Sequence, residues 1–170
     1  MQNVNIGNFQ IVTSMISGND QRTSSIATLT ALAFTNSGGS PGTPLGPVTL
    51  SGPINITYFG RSTLTALGTF TSQITFLDFT GVFNGHTIEA MLNPASPSLG
   101  MTSVNEVPGG QFRVDSFFDV FAELSIDGGP FVPGPVRQAD LVPEPGTFIP
   151  AFLGIACAAV SLRRTRRRSS

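Results

Sequence analysis

The chain has 170 residues, no Trp, one Tyr, 19 Gly and 13 Pro, and only 11% of it is charged, which leaves room for one domain and a tail. Its net charge of −1 hides a split: residues 1–142 carry four Arg against nine Asp and Glu, whereas residues 143–170 carry five Arg against Glu144. An acidic, lysine-free body excludes the basic surface that nucleic-acid binding needs to displace counterions, and the single cysteine, Cys157, excludes a disulfide, a thiol nucleophile or a cysteine metal site in the body.

Taken in order, Met1 to Ile6 (MQNVNI) has no basic start, no apolar stretch of signal-peptide length and no small-residue cleavage site. Val4, Ile6 and Phe9 to Val12 predict an opening strand with a bulge at Gly7. Ser25 to Phe34 predicts a Thr-rich strand facing a core on one side, and Asn36 to Pro44 a flexible loop with too little apolar content to pack. Val48 to Leu50 and Ile54 to Phe59 predict two strands separated by Ser51-Gly52-Pro53, and Ser62 to Phe79 predicts one or two more. Asn84-Gly85 between alternating arms predicts a tight hairpin, because both central positions of such a turn take positive φ. Pro94, Pro97 and Gly100 predict a loop. The most regular strand is Ser116 to Ile126. Its even positions Phe118, Val120, Ala122, Leu124 and Ile126 form an apolar face. Asp115, Asp119, Glu123 and Asp127 face water, interrupted by Phe117 and Phe121. Asp127-Gly128-Gly129-Pro130 ends it as a turn, and Pro133 and Pro135 make residues 131–142 a linker. Strands at short, regular spacing with polar turns, and no helical period before residue 147, predict an all-β body: an antiparallel β-sandwich of jelly-roll or Ig-like form over residues 1–130.

Chemistry in the body is sparse. His86, the sole histidine, directly follows the Asn-Gly turn, and turn polarity accounts for it better than catalysis. The sequence has no Gly-x-Ser-x-Gly setting and no phosphate-cradling glycine loop, so neither an enzyme nor a cofactor is expected. On a strand, acids four apart are about 13 Å apart at ~3.3 Å per residue, too far to share one calcium ion. A calcium site would need other loops, for instance Asp127 joined by Asp20 or Asp78. Phe117 and Phe121 invite stacking on sugar rings, but sugar-binding surfaces lean on Trp and Tyr, here reduced to Tyr58. Because Phe packs more often than it protrudes, burial of both is expected.

The tail has three parts in fixed order. Val142-Pro143-Glu144-Pro145 comes first, then an uncharged apolar run of 16 residues from Thr147 to Leu162, then Arg163, Arg164, Arg166, Arg167 and Arg168 among the last eight residues. As helix the run is about 24 Å long at ~1.5 Å per residue, slightly short of a ~30 Å hydrocarbon core. Arginine stems reach the headgroups and cover that shortfall. Positive charge flanking a membrane helix resists translocation, so the arginines stay cytoplasmic and everything before Pro143 belongs outside. Export of the body then calls for a signal that Met1 to Ile6 does not supply, and an N-terminal extension upstream of Met1 is the expectation. Pro150 fits a helix over about 148–162 only within its first turn, where no intrahelical donor is lost.

Pro143-Glu144-Pro145, the apolar helix from Phe148 to Leu162 and the basic end from Arg163 to Arg168 together resemble the PEP-CTERM sorting signal of Gram-negative bacteria that make exopolysaccharide. The resemblance covers roughly the last sixth of the chain. It implies a substrate of an exosortase, a membrane-embedded cysteine protease or transpeptidase thought to cleave near the motif. It further implies an inner-membrane stage with the body in the periplasm, then delivery to the cell surface or extracellular matrix and association with exopolysaccharide. The alternative is a carbohydrate-binding or calcium-dependent adhesion module on a permanent single-span anchor.

Overall fold

The computed structural model describes residues 2–34, 42–133 and 137–141, with side chains over 4–34 and 42–133. Its regular elements are all strands: β1 (Gln2–Ser17), β2 (Asp20–Phe34), β3 (Pro44–Tyr58), β4 (Gly68–Phe83), β5 (His86–Leu92), β6 (Ser98–Val107), β7 (Gln111–Val120), β8 (Ala122–Ile126), β9 (Val132–Pro133) and β10 (Arg137–Leu141). The expected all-β, predominantly antiparallel body is therefore present. Among the described residues no helix is long and apolar enough to cross a membrane; the apolar run Thr147 to Leu162 lies outside them.

The ten strands form one sheet, in the order β3-β2-β1-β10-β7-β6-β4-β5-β8-β9, and a further β3–β4 pairing closes it into a ring. Three of its positions are broken strands. β4 uses one edge for β3, so β5 and β6 lie in line along its other edge, opposite residues 78–83 and 68–74. β7 and β8 continue one another along β6 and β5, and β9 and β10 continue one another along β8 and β7. The result is a ring of seven strand positions that run alternately up and down. With an odd number of alternating positions, first and last must point the same way. That accounts for the one parallel pairing, Asn5 with Asp140 and Ile6 with Leu141. Neighbour-to-neighbour connections replace the long crossings of a jelly roll or Ig sandwich.

Local chemistry explains several departures from the sequence reading. The bulge expected at Gly7 is there, as a register shift between Gly7 and Gln10 with Asn8 at φ 52°. β3 runs straight through Ser51-Gly52-Pro53, because Gly52 admits the backbone of β4. A Cβ there would collide with the Asp78 carbonyl oxygen and sit 3.1 Å from the Phe79 Cα. Gly100, expected in a loop, lies inside β6, where a Cβ would stand 2.6 Å from the Phe118 ring. The strand from Ser116 to Ile126 is interrupted at Phe121. Its carbonyl accepts the Asn93 N–H (2.9 Å) and its N–H donates to Ser98 Oγ (3.0 Å), so the break in β7–β8 is bonded to the break in β5–β6. The residues expected as a linker contain β9 and β10, and β10 bridges β7 to β1.

Inside the ring, Ile6, Leu50, Ile54, Ile74, Leu77, Phe79 and Phe118 are almost fully buried. Towards the end that carries the Gly18-Asn19 turn and the 59–67 loop, the interior becomes polar. Ser72 Oγ, Thr102 Oγ1 and Ser116 Oγ form a chain with spacings of 3.1 and 2.8 Å. Gln21 Nε2 donates to Ser14 Oγ (2.6 Å) and Thr23 Oγ1 (3.2 Å). The loop from Phe59 to Leu67 turns Arg61 into this layer. Its guanidinium donates to Gln21 Oε1 and to the carbonyls of Leu64 (2.8 Å) and Ala66 (3.2 Å), and its Cζ lies 5.9 Å from the Phe70 ring centroid. No buried side-chain nitrogen or oxygen among the described residues lacks a partner.

Candidate functional site

Strand alternation decides what the outer face presents. Gln21, Thr23 and Ser25 point into the ring, so Asp20, Arg22 and Ser24 point out. Register then builds rows. Met15, Arg22, Thr57 and Gln73 stand side by side on β1 to β4, and Thr13, Ser24 and Asn55 form the adjoining row. Together with Phe59 and Asp20 they line a groove of about 530 Å³. Asp20 is held in place there: its Oδ1 accepts the Gly60 N–H at 2.9 Å.

The groove combines one guanidinium, one carboxylate (Asp20, whose Oδ1 is taken by the Gly60 N–H), two amides and several hydroxyls, with a thioether and a phenyl ring at its sides. Adjacent strands are ~4.8 Å apart, so these groups repeat at a fixed interval across the sheet. Amides and hydroxyls both donate and accept, which suits a hydroxyl-rich ligand, and a guanidinium binds a carboxylate with two parallel hydrogen bonds. The ion pairs among the described residues are His86–Asp127 and Arg113–Asp115; Arg22 belongs to neither and is exposed. Sequence reasoning missed this site. Its side chains come from separate strands, and no spacing within one strand announces them.

His86 and Asp127 meet at the opposite end of the ring, across β5 and β8. His86 Nδ1 lies 2.7 Å from Asp127 Oδ2, and Asp127 Oδ1 accepts the Thr87 N–H at 2.8 Å. The His86 hydrogen bond, with the Thr87 N–H second, holds the Asp127 carboxyl below its ordinary value of 3.8. Both side chains are more than half exposed. The expected turns are both present, with Asn84 and Gly85 at φ 51° and 84° and Asp127 and Gly128 at 52° and 70°. The pair staples these two turns together. A nucleophile oriented by the imidazole would be needed for catalysis, and the hydroxyl-bearing residue bonded to the pair, Thr87, contributes its backbone N–H.

Asp115, Asp119, Glu123 and Asp127 remain spread along β7, β8 and the turn after them. Among the described residues no three His, Cys, Asp or Glu side chains gather where they could hold one metal ion. Phe117 is not buried as expected. It is 41% exposed and faces Met101 across β7 and β6, an outward cross-strand pair. Phe121 is half-buried at the strand break, and Ile126, assigned to the inner face, is 58% exposed. Past the break Ala122 and Leu124 still pack against the core, Leu124 opposite buried Ala90, while Ser125 stands opposite Glu89 on the other face, where it is buried and donates to the Gly129 carbonyl at 2.8 Å. Tyr58 packs against the core, and burial pushes its phenol up to about 12 against the opposing pull of Arg61. The sorting-motif residues Val142, Pro143, Glu144 and Pro145 and the cluster Arg163, Arg164, Arg166, Arg167 and Arg168 lie outside the described residues.

Fold and site together define an all-β protein with a closed sheet, a polar-capped interior and a polar outer groove. No protein-family model, no curated protein and no solved structure matches the chain.

Proposed function

We propose that the chain is a non-enzymatic exported protein of the cell surface or extracellular matrix, sorted and processed by an exosortase-type membrane enzyme through its C-terminal signal. The observation that carries this reading is the order of Val142-Pro143-Glu144-Pro145, the apolar run and the five arginines at the end of the chain. The apolar run parks the motif at bilayer depth as a transmembrane helix over about 148–162, and the arginines hold its far end in the cytoplasm. Prolines on both sides of Glu144 deny the motif helix continuity. A peptide map of mature protein from an exopolysaccharide-producing Gram-negative host tests it. Loss of everything after about Pro145 is expected; an intact arginine tail in the mature protein rejects processing and leaves a permanent anchor.

The outer groove favours a second reading, a carbohydrate-binding adhesion module, which is compatible with either fate of the tail. Glycans bearing carboxylates should bind saturably, and Arg22→Ala should weaken them by about tenfold, the 1.5–3 kcal/mol range of a hydrogen bond to a charged group being the upper guide. Absence of saturable binding to any polymer on a glycan array removes this reading.

A further inference from the structure

We propose that the outer groove selects a zwitterionic glycan, one whose repeat carries a carboxylate on one sugar and an amine on the next, with Arg22 taking the carboxylate and Asp20 the amine. This rests on the carbohydrate-binding reading of the groove and names the class of glycan. The two charges stand on one strand. Asp20 and Arg22 are two residues apart on β2, line the same groove and point out of the ring together, about 7 Å apart at ~3.3 Å per residue. Neither spends its charge on the protein, since the ion pairs among the described residues are His86–Asp127 and Arg113–Asp115.

Opposite charges so close on one face would ordinarily swing together and neutralise each other. Here Asp20 is turned away, because its Oδ1 accepts the Gly60 N–H at 2.9 Å. Gly60 is itself fixed on both sides. Before it, the Phe59 N–H donates to the Thr71 carbonyl at 2.9 Å. After it, the Arg61 guanidinium is tied to Gln21 Oε1 and to the carbonyls of Leu64 and Ala66. The anchor is therefore firm, and among the described residues Asp20 Oδ2 has no hydrogen-bond partner. A purely anionic ligand would gain Arg22 and be repelled by Asp20, and a purely cationic one the reverse. A ligand with both charges satisfies the pair.

The rest of the lining favours a glycan as the carrier of those charges. Asn55, Gln73 and Ser24 donate and accept, as sugar hydroxyls do, and Phe59, 40% exposed, offers a flat apolar wall to the C–H face of a ring. An extended peptide with the same charges would be held chiefly by adding a strand to an open edge. β2 and β3 already have a neighbour on each side, so their edges are taken. The separation of Asp20 from Arg22 is too wide for the adjoining charges of a free amino acid and suits groups on neighbouring sugars.

The test measures affinities of the full chain for four oligosaccharides of equal length: de-N-acetylated hyaluronan (uronate alternating with free glucosamine), hyaluronan itself, oligogalacturonate and chitosan. De-N-acetylated hyaluronan should bind about tenfold tighter than oligogalacturonate, the gain expected of one added charge-assisted hydrogen bond. Asp20→Asn keeps an Oδ1 for the Gly60 N–H and removes the charge. It should bring the two affinities level, whereas Arg22→Gln should weaken both and Arg22→Lys should largely spare them. Because the readout for Asp20 is a ratio of two affinities in one protein, any loss of folded material cancels. A preference that survives Asp20→Asn, or a wild type indifferent to the amine while still dependent on Arg22, overturns this inference and leaves the carbohydrate reading standing. Binding to none of the four removes the carbohydrate reading as well. A peptide of alternating Lys and Glu that binds as tightly as the zwitterionic glycan would overturn the choice of a glycan.

Discussion

Arg61 is a buried cation whose hydrogen-bond partners are oxygens without charge: the Gln21 amide and the carbonyls of Leu64 and Ala66. Burial lowers its pKa, so the fold carries the expense of desolvating it, and the hydrogen bonds are what keep it there. Arg61→Leu strands the buried Gln21 oxygen, and we expect a loss of about 1–3 kcal/mol in urea unfolding. Adding Gln21→Leu should recover part of it, because both polar partners are then gone; a neutral single variant would contradict a stabilising role for the Arg61–Gln21 bond. Tyr58 predicts a pH dependence. Its folded pKa of about 12 stands above the ordinary phenol value of 10.0, so the native state holds the phenolic proton more tightly than the unfolded chain. That contribution is fully present below pH 10 and is lost as pH rises towards 12. Tyr58→Phe should flatten this alkaline fall in the denaturation midpoint, and an identical slope in both proteins would rule the assignment out.

Strands show which parts of the fold were legible. The Asn84-Gly85 turn and the Asp127-Gly128 turn could be read because each is specified by adjacent residues whose positive φ is a local demand. The break at Phe121 could not, since apolar alternation continues through it from Phe118 to Leu124. What interrupts the ladder is bonding to Asn93 and Ser98, more than 20 residues away. β10 was hidden for a similar reason: Arg137 to Leu141 is too short to show a period and follows Pro133 and Pro135. Gly52 illustrates the opposite error, a residue that looks like a breaker and serves as a point of close approach. Gly52→Ala pushes a methyl group onto the Asp78 carbonyl of β4. The expected destabilisation is about 1–3 kcal/mol by chemical unfolding, the usual range for overpacking. Gly18→Ala, at a φ of 66° with open space around it, is the control for backbone conformation alone. A Gly52 variant no worse than that control would mean the strands can part there freely.

For the whole molecule, closure matters more than any single contact. The groove was illegible in the sequence because it exists only once four strands stand in register. The ring in turn exists only once β10 stands between β1 and β7. Truncation after Leu141 should leave a cooperatively folding body, whereas truncation after Pro133 should broaden or abolish the thermal transition and promote association through the freed edges. Equal melting of the two products would show that the seal is dispensable. The pairing of Asn5 with Asp140 also sets a schedule. Contacts that distant in sequence form late, because the intervening loop must be closed before they contribute. β1 can pair early with its sequence neighbour β2 along one edge, but its other edge stays without β10 until Asp140 and Leu141 reach Asn5 and Ile6.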